Sequence, residues 1–586
     1  MSNLTVSQST EKPVVMHVAQ SPEAQTRQKV EGVAIPFPPA PTTVSELPEA
    51  LREDAPLENN RASGNKYFES IQGYKYAVAD YQLMNKTDCI AAVKDLHDCS
   101  ENGHEKHFLN CLSHALKLIK GPDAVDKTFR DRSKKITMLL RRAAESEFYQ
   151  QNKTKKNQYC LLLQDLCEAK FNGVYPHDSF TDLVTKAARS AGTEGNDAIA
   201  LLRGKLVNKH TVGGLTRNVN TSLHNVGSEY KKGKLAKWGM KLSGKTGIDF
   251  DPTGGPNVPY VRSRFTLQAQ GAEEREVDFI RMGTPTIQVE KGKPVTIDPM
   301  FLVMLDAMHQ RDENFLYVNH QRVKHSTQES NRAYAIKGIE YMPGYENFHF
   351  MSVPLDGPIT DAIKHGMAIQ DFKKMVVESF VRGENGCMLP KPRFGVEEAN
   401  PEAFDETALG RLVSHVHSSW FADQPVLNRN ELEAFWGITQ TVLKHAVILQ
   451  LEIDRMCSTC KDNVDRGGTL STIDEAVRQV LRGEHENREE LRQLGFNALH
   501  PYVVKLEPIL DGDKKHNRLG FFVHTADHIA KLSSEQVERI QRDHATLYCR
   551  VTGQELAPKR PQETPEEWVE FGVQPRVERE EEGKRE

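Results

Sequence analysis

From Lys66 to about Lys245 apolar residues recur at three- and four-residue steps. In "HFLNCLSHALKLIK", Phe108, Cys111, Leu112, Ala115, Leu116 and Ile119 share one stripe, the spacing of a helix with a single buried face. "KKITMLLRRAAESEF" and "CLLLQDLCEAKF" repeat the pattern, and "IKGPDA" and "FNGVYP" interrupt it with helix breakers. The spacing predicts a helical region over 63–245. A Gly and Pro cluster, "GKTGIDFDPTGGPNVPY", then marks a boundary, after which "RSRFTLQAQ" and "VDFIRMGTPTIQVEKGKPVTI" alternate with β-branched residues at strand spacing. "DPMFLVMLDAMHQR" and "ITDAIKHGMAIQDFKKMVVESFVR" return to helical spacing. Residues 246–556 therefore read as an α/β or α+β domain, a central sheet flanked by helices.

Both ends lack this periodicity. Residues 1–62, with "VAIPFPPAPTTVSELPEALREDAPLENN", hold too little apolar surface to offset ordering entropy and read as a disordered arm. Residues 557–586 read as a charged, solvated tail. At 586 residues the chain exceeds what one core usually serves, so two or more domains are expected.

Charge narrows the function classes. A net charge of -5 predicts neither nucleic-acid nor membrane binding globally, so an anionic partner must meet a local patch. One such patch is 203–245, with ten Lys or Arg against one acid. No apolar run approaches a membrane span, and the N-terminus lacks the basic start and apolar stretch of a secretory signal. Nine scattered cysteines do not form a disulfide framework and fit a reducing compartment.

The chemistry concentrates in "MCSTCKDNVDRGGTLS". A cysteine separated from an arginine by five residues supplies a nucleophile and a phosphate cradle: the loop's backbone N–H groups face one anion, and the guanidinium grips two phosphate oxygens. The same field favours the thiolate. Downstream, Leu470, Ile473, Ala476, Val477 and Val480 form a helical stripe, placing the loop at a helix N-terminus whose dipole adds to the anion site. Upstream, "KHAVILQLEI" fits a strand or a helix. Cys457 and Cys460 form a C-x-x-C with no second pair to complete a zinc site. His415 and His417, two apart as on one face of a strand, read as surface or supporting histidines, and no metal or cofactor is expected.

These residues resemble the signature of cysteine-dependent phosphatases, in particular the phosphoinositide branch. The Sac-type lipid phosphatases carry C-x-D-C-L-D-R-T, which Cys460, Asp462, Val464, Asp465 and Arg466 match or nearly match. Myotubularin-type enzymes share the two aspartates in C-S-D-G-W-D-R-T. Enterobacterial effector phosphatases, with C-K-S-x-K-D-R-T, share Lys461 and Asp465-Arg466. These families place Thr after the arginine, where its hydroxyl bonds the thiolate; Gly467 stands here.

The resemblance implies Cys460 as nucleophile, Arg466 as phosphate clamp, and Lys461, Asn463, Val464, Asp465 and Gly467 around the substrate. It makes Asp462 the first candidate for the general acid. Asp356, in "FHFMSVPLDGPITD", is the second, because that stretch resembles the mobile aspartate loop of tyrosine and dual-specificity phosphatases. Lys461 favours a polyphosphorylated inositol headgroup over phosphotyrosine. Together with the missing signal peptide and the end "EREEEGKRE", this resembles secreted effectors of the Legionella type acting in a host cytoplasm or at host membranes. The alternatives are a non-catalytic lipid- or protein-binding effector and a protein tyrosine or dual-specificity phosphatase. The sequence fixes no oligomeric state.

Overall fold

A six-stranded mixed sheet lies between two helical layers. The computed structural model describes residues 89–120, 127–155, 157–171, 259–287, 295–323, 328–390, 405–460, 463, 466–484, 521–522 and 524–556. All fall in the unit Phe37–Glu586. The arm 1–62, the basic segment 203–245 and the tail 557–586 lie outside these residues.

Five helices come first: α1 (Ile90–Cys99), α2 (Gly103–Ile119), α3 (Lys127–Ala144), α4 (Glu147–Asn152) and α5 (Gln158–Phe171). Strands β1 (Tyr260–Ala269) and β2 (Glu274–Arg281) follow, then the short pair β3 (Thr286–Ile287) and β4 (Thr296–Ile297). Next come α6 (Pro299–His309), β5 (Asn314–Asn319), α7 (Gln328–Lys337), β6 (Phe348–Ser352), α8 (Pro358–Lys364) and α9 (Ile369–Val381). The described chain ends with α10 (Glu406–Phe421), α11 (Arg429–Gln450), β7 (Ile453–Thr459), α12 (Arg466–Arg482), α13 (Ser534–Leu547) and β8 (Cys549–Leu556).

The strand order is β6-β5-β7-β2-β1-β8. The first four run parallel, and β1 and β8 add antiparallel. Parallel strands are buried on both faces, and β5, "NFLYVN", is buried at every position. Leu316 and Val318 join one core with Phe279, Met456 and residues of α8 to α13. Phe315 and Tyr317 join the other with Phe348, Phe350 and Cys457. Each large apolar side chain contributes roughly 1.5–3 kcal/mol on burial. Because both faces of β5 are apolar, its polar ends help to fix the register. Asn314 Nδ2 donates to the Leu451 and Glu452 carbonyls, and Asn319 Nδ2 to Ser352 Oγ.

The helices expected as a separate N-terminal region pack on this sheet. Phe108, Leu112, Leu116, Leu140, Leu163 and Phe171 share the second core with sheet residues. Ion pairs tie the layer down: Arg141 to Asp298 at 2.7 Å, Lys153 to Asp306 at 2.9 Å and Arg455 on β7 to Glu168 at 2.6 Å. The boundary near residue 245 therefore does not divide the core.

Two local readings resolve or change. "KHAVILQLEI" is mostly the end of α11, which gives way to β7 at Ile453. His415 and His417 belong to α10 rather than to a strand, and both are buried. At 3.6 residues per turn, positions two apart point in different directions. His417 Nε2 meets the Gln424 carbonyl at 2.9 Å, and His415 Nδ1 lies 3.3 Å from Ser419 Oγ.

Candidate active site

The four parallel strands end at one edge of the sheet, and each hands the chain to a loop there. Ligand crevices in α/β sheets form outside these carboxyl ends. The segment after β2 carries Met282 and Thr284, that after β5 His320 to Arg322, that after β6 Val353 to Gly357, and that after β7 Cys460 to Arg466.

Cys460 is the first residue past the central strand β7 and is buried. Period-two alternation sends Cys457 into the helix-covered core, where burial pushes its thiol well above the usual range. All nine cysteines are free. The end of β7 is pinned on both sides. Thr459 Oγ1 donates to the Met282 carbonyl at 2.6 Å, and the Thr459 carbonyl accepts from His320 N at 2.9 Å.

Strand, loop and helix follow in the order the motif implies, although α12 begins at Arg466 itself, so Gly467 and Gly468 sit in its first turn. Asn463 N donates to the Cys460 carbonyl at 3.1 Å, and Asn463 takes the left-handed conformation at φ 50°. Its carbonyl accepts from Arg281 Nη2 at 3.1 Å. Lys461, Asp462, Val464 and Asp465 lie outside the described residues. The expected stripe Leu470, Ile473, Ala476, Val477 and Val480 is buried, and so are Asp474, Glu475, Arg478 and Gln479 on the same helix.

Arg466 and Asp356, 110 positions apart, meet across the edge. Arg466 Nε lies 3.1 Å from Asp356 Oδ2, an ion pair by distance in which the N–H is not aligned for a hydrogen bond. The arginine is almost buried; the Asp356 side chain is 42% exposed, at the mouth of the site. Arg466 Nη1 also lies 3.5 Å from the His320 carbonyl.

Three supporting residues gave no signal in the motif. Arg322 Nε donates to the Asp356 carbonyl at 3.1 Å. A β-carbon at Gly357 would come within 3.1 Å of the Arg322 guanidinium, and Gly357 holds φ 136°. Glycine is therefore required where the aspartate loop crosses this arginine. His320 bridges the loop after β6 and the end of β7: Nδ1 lies 2.8 Å from the Val353 carbonyl and Nε2 2.6 Å from Ser458 Oγ. The carbonyl can only accept, so Nδ1 carries the proton and Nε2 accepts the serine hydroxyl. Burial, with the charge of Lys444 adding, pulls its pKa down to about 3. The third is Arg281, which holds the cysteine loop through Asn463. The only hint in the sequence is the polar run Asn319-His320-Gln321-Arg322 directly after the apolar core of β5.

Among the described residues no helix is long and apolar enough to cross a membrane. No family model, curated protein or solved structure matches this chain.

Proposed function

We propose that the protein is a cysteine-dependent phosphatase acting on the phosphorylated inositol headgroup of a lipid. The observation that carries this reading is the meeting of Arg466, at the start of α12, with Asp356 beside the loop that begins at Cys460. In this reading the Cys460 thiolate attacks phosphorus, the P–O bond to the inositol breaks, and a phosphocysteine forms. Arg466 and the loop amides hold the transferring oxygens. Water then cleaves the S–P bond and releases phosphate.

The placement of Asp356 favours it over Asp462 as the acid. An incoming phosphate dianion competes with Asp356 for Arg466 and releases the carboxyl from its ion pair. The departing alkoxide takes its proton from Asp356. Arg322 positions the Asp356 loop, and Lys461 is assigned to a second ring phosphate. The same placement of Asp356 also favours a second reading, a protein tyrosine or dual-specificity phosphatase.

Phosphate release from a panel of soluble phosphoinositides and a phosphotyrosine peptide separates the two. Turnover of inositides, absent in Cys460→Ser, is the expected result. Turnover of the peptide alone would favour the second reading, and no turnover of either would leave a binding cradle. The proposed site of action is a host membrane, reached by secretion. Removing residues 563–586 should then block delivery into host cells while leaving turnover intact, and normal delivery of the truncated chain would remove that assignment.

A further inference from the structure

Three side chains from three elements bring their ligand atoms to one spot. His445 of α11, His544 of α13 and Cys549, which opens β8, are each about 1% exposed or less. His445 Nδ1 lies 3.3 Å from His544 Nε2, which lies 3.9 Å from Cys549 Sγ. All three atoms lie within 4.8 Å of one another. From the geometry we infer a zinc site of two imidazoles and one thiolate, separate from the phosphatase-like loop.

Three arguments support it. A proton chiefly joins two of these atoms at a time. Nε2 of a neutral imidazole offers either one N–H or one in-plane lone pair, yet His544 Nε2 faces both His445 and Cys549. A single cation at the centre would bind all three atoms at once. The imidazole pair already has the spacing: with Zn–N of about 2.0–2.1 Å and Zn–S of about 2.3 Å, a tetrahedral site has N···N near 3.4 Å and N···S near 3.6 Å, so binding would draw Cys549 Sγ in from its 3.9 Å to His544. Finally, thiolate with imidazole is the soft donor set that selects zinc over magnesium or calcium.

A cavity of about 700 Å³ lies against two of the three ligands. His544 and Cys549 line it together with Arg482, Gln541 and Arg550. The site would clip α13 and the edge strand β8 to α11.

Cobalt(II) is the probe, added to full-length, chelator-treated protein under reducing conditions. One equivalent should bind, with a thiolate-to-cobalt charge-transfer band and tetrahedral ligand-field bands, and zinc should displace it. The charge-transfer band should vanish in Cys549→Ser and persist in Cys460→Ser. His445→Gln should weaken binding by at least the roughly 10- to 100-fold lost when only an outer partner of a metal ligand is removed. Wild-type protein that binds no stoichiometric cobalt, or binds it without a thiolate band, overturns the site. So does a band that survives in Cys549→Ser. Because the wild-type spectrum alone decides, a variant that fails to fold does not rescue the inference.

Discussion

The side-chain oxygen of Asn463 lies 1.8 Å from the point a β-carbon on residue 467 would occupy, and the Ser458 carbonyl lies 2.8 Å from it. Gly467 is therefore a consequence of Asn463. The carboxamide fills the corner beside Gly467, and neither of its polar atoms has a hydrogen-bond partner among the described residues.

Gly467→Ala should destabilise the fold by about 1–3 kcal/mol, the usual penalty for overpacking. Adding Asn463→Gly removes the nearer clash but not the one with the Ser458 carbonyl. The double variant should recover part of the loss, with a coupling of roughly 0.5–3 kcal/mol. Urea unfolding of the four proteins in the cycle measures it. Strict additivity would mean that the two side chains do not compete for this space.

The acid assignment is separable by leaving group. A proton donor contributes about 10²- to 10⁴-fold, mostly for poor leaving groups. Asp356→Asn should depress inositide turnover strongly and an activated aryl phosphate little, whereas Cys460→Ser should abolish both and still bind substrate. Arg322→Ala should act like a weaker Asp356→Asn, because it releases the loop rather than the carboxyl. Equal losses on both substrates in Asp356→Asn would assign that residue a structural task.

Much of the frame was legible in the sequence, because periodicity reports burial. The α2 stripe of Phe108 to Ile119, the alternation in β1 and β2, and the face of α12 are all patterns of which side chains avoid water. What periodicity cannot report is which layer an amphipathic helix covers; for this reason the N-terminal helices looked like a separate body. The helix after Arg466 followed from spacing, whereas the strand before Cys460 did not, because the apolar run "KHAVILQLEI" fits either element and belongs mostly to α11. The pairing of Asp356 with Arg466, the bridge made by His320 and the support from Arg322 depend on strand order, which brings β5, β6 and β7 side by side. The cluster of His445, His544 and Cys549 spans more than 100 positions, so no local motif marks it.

Inside the helical layer, Lys444 of α11 and Asp474 of α12 form a buried ion pair to which Thr441 adds a hydrogen bond of 2.5 Å. Removing one partner strands the other charge away from water. Lys444→Met should therefore cost about 3–5 kcal/mol, while Lys444→Met combined with Asp474→Leu should come close to neutral. Denaturant midpoints test this, and a double variant worse than either single would show that the pair contributes net stability.

Acid should weaken the fold through histidines held neutral. Burial lowers His320 to about 3 and His528 to about 4, from an ordinary value of 6.5; the His528 ring stacks on Phe421 and its Nε2 lies 3.1 Å from the Trp420 carbonyl. In the unfolded chain both rings take up a proton near pH 6.5, whereas in the folded chain they do so only near 3 and 4. Below pH 6.5 the unfolded state therefore binds more protons, and stability falls with falling pH. Each ring's contribution is fully present above about pH 6.5 and is lost progressively down to its folded value, about 2 kcal/mol each by about pH 5. Urea midpoints should drop between about pH 8 and about pH 5. His320→Asn, which removes one titrating ring while keeping a donor for the Val353 carbonyl, should show a shallower drop. An unchanged drop in that variant would mean that His320 does not set the acid limb.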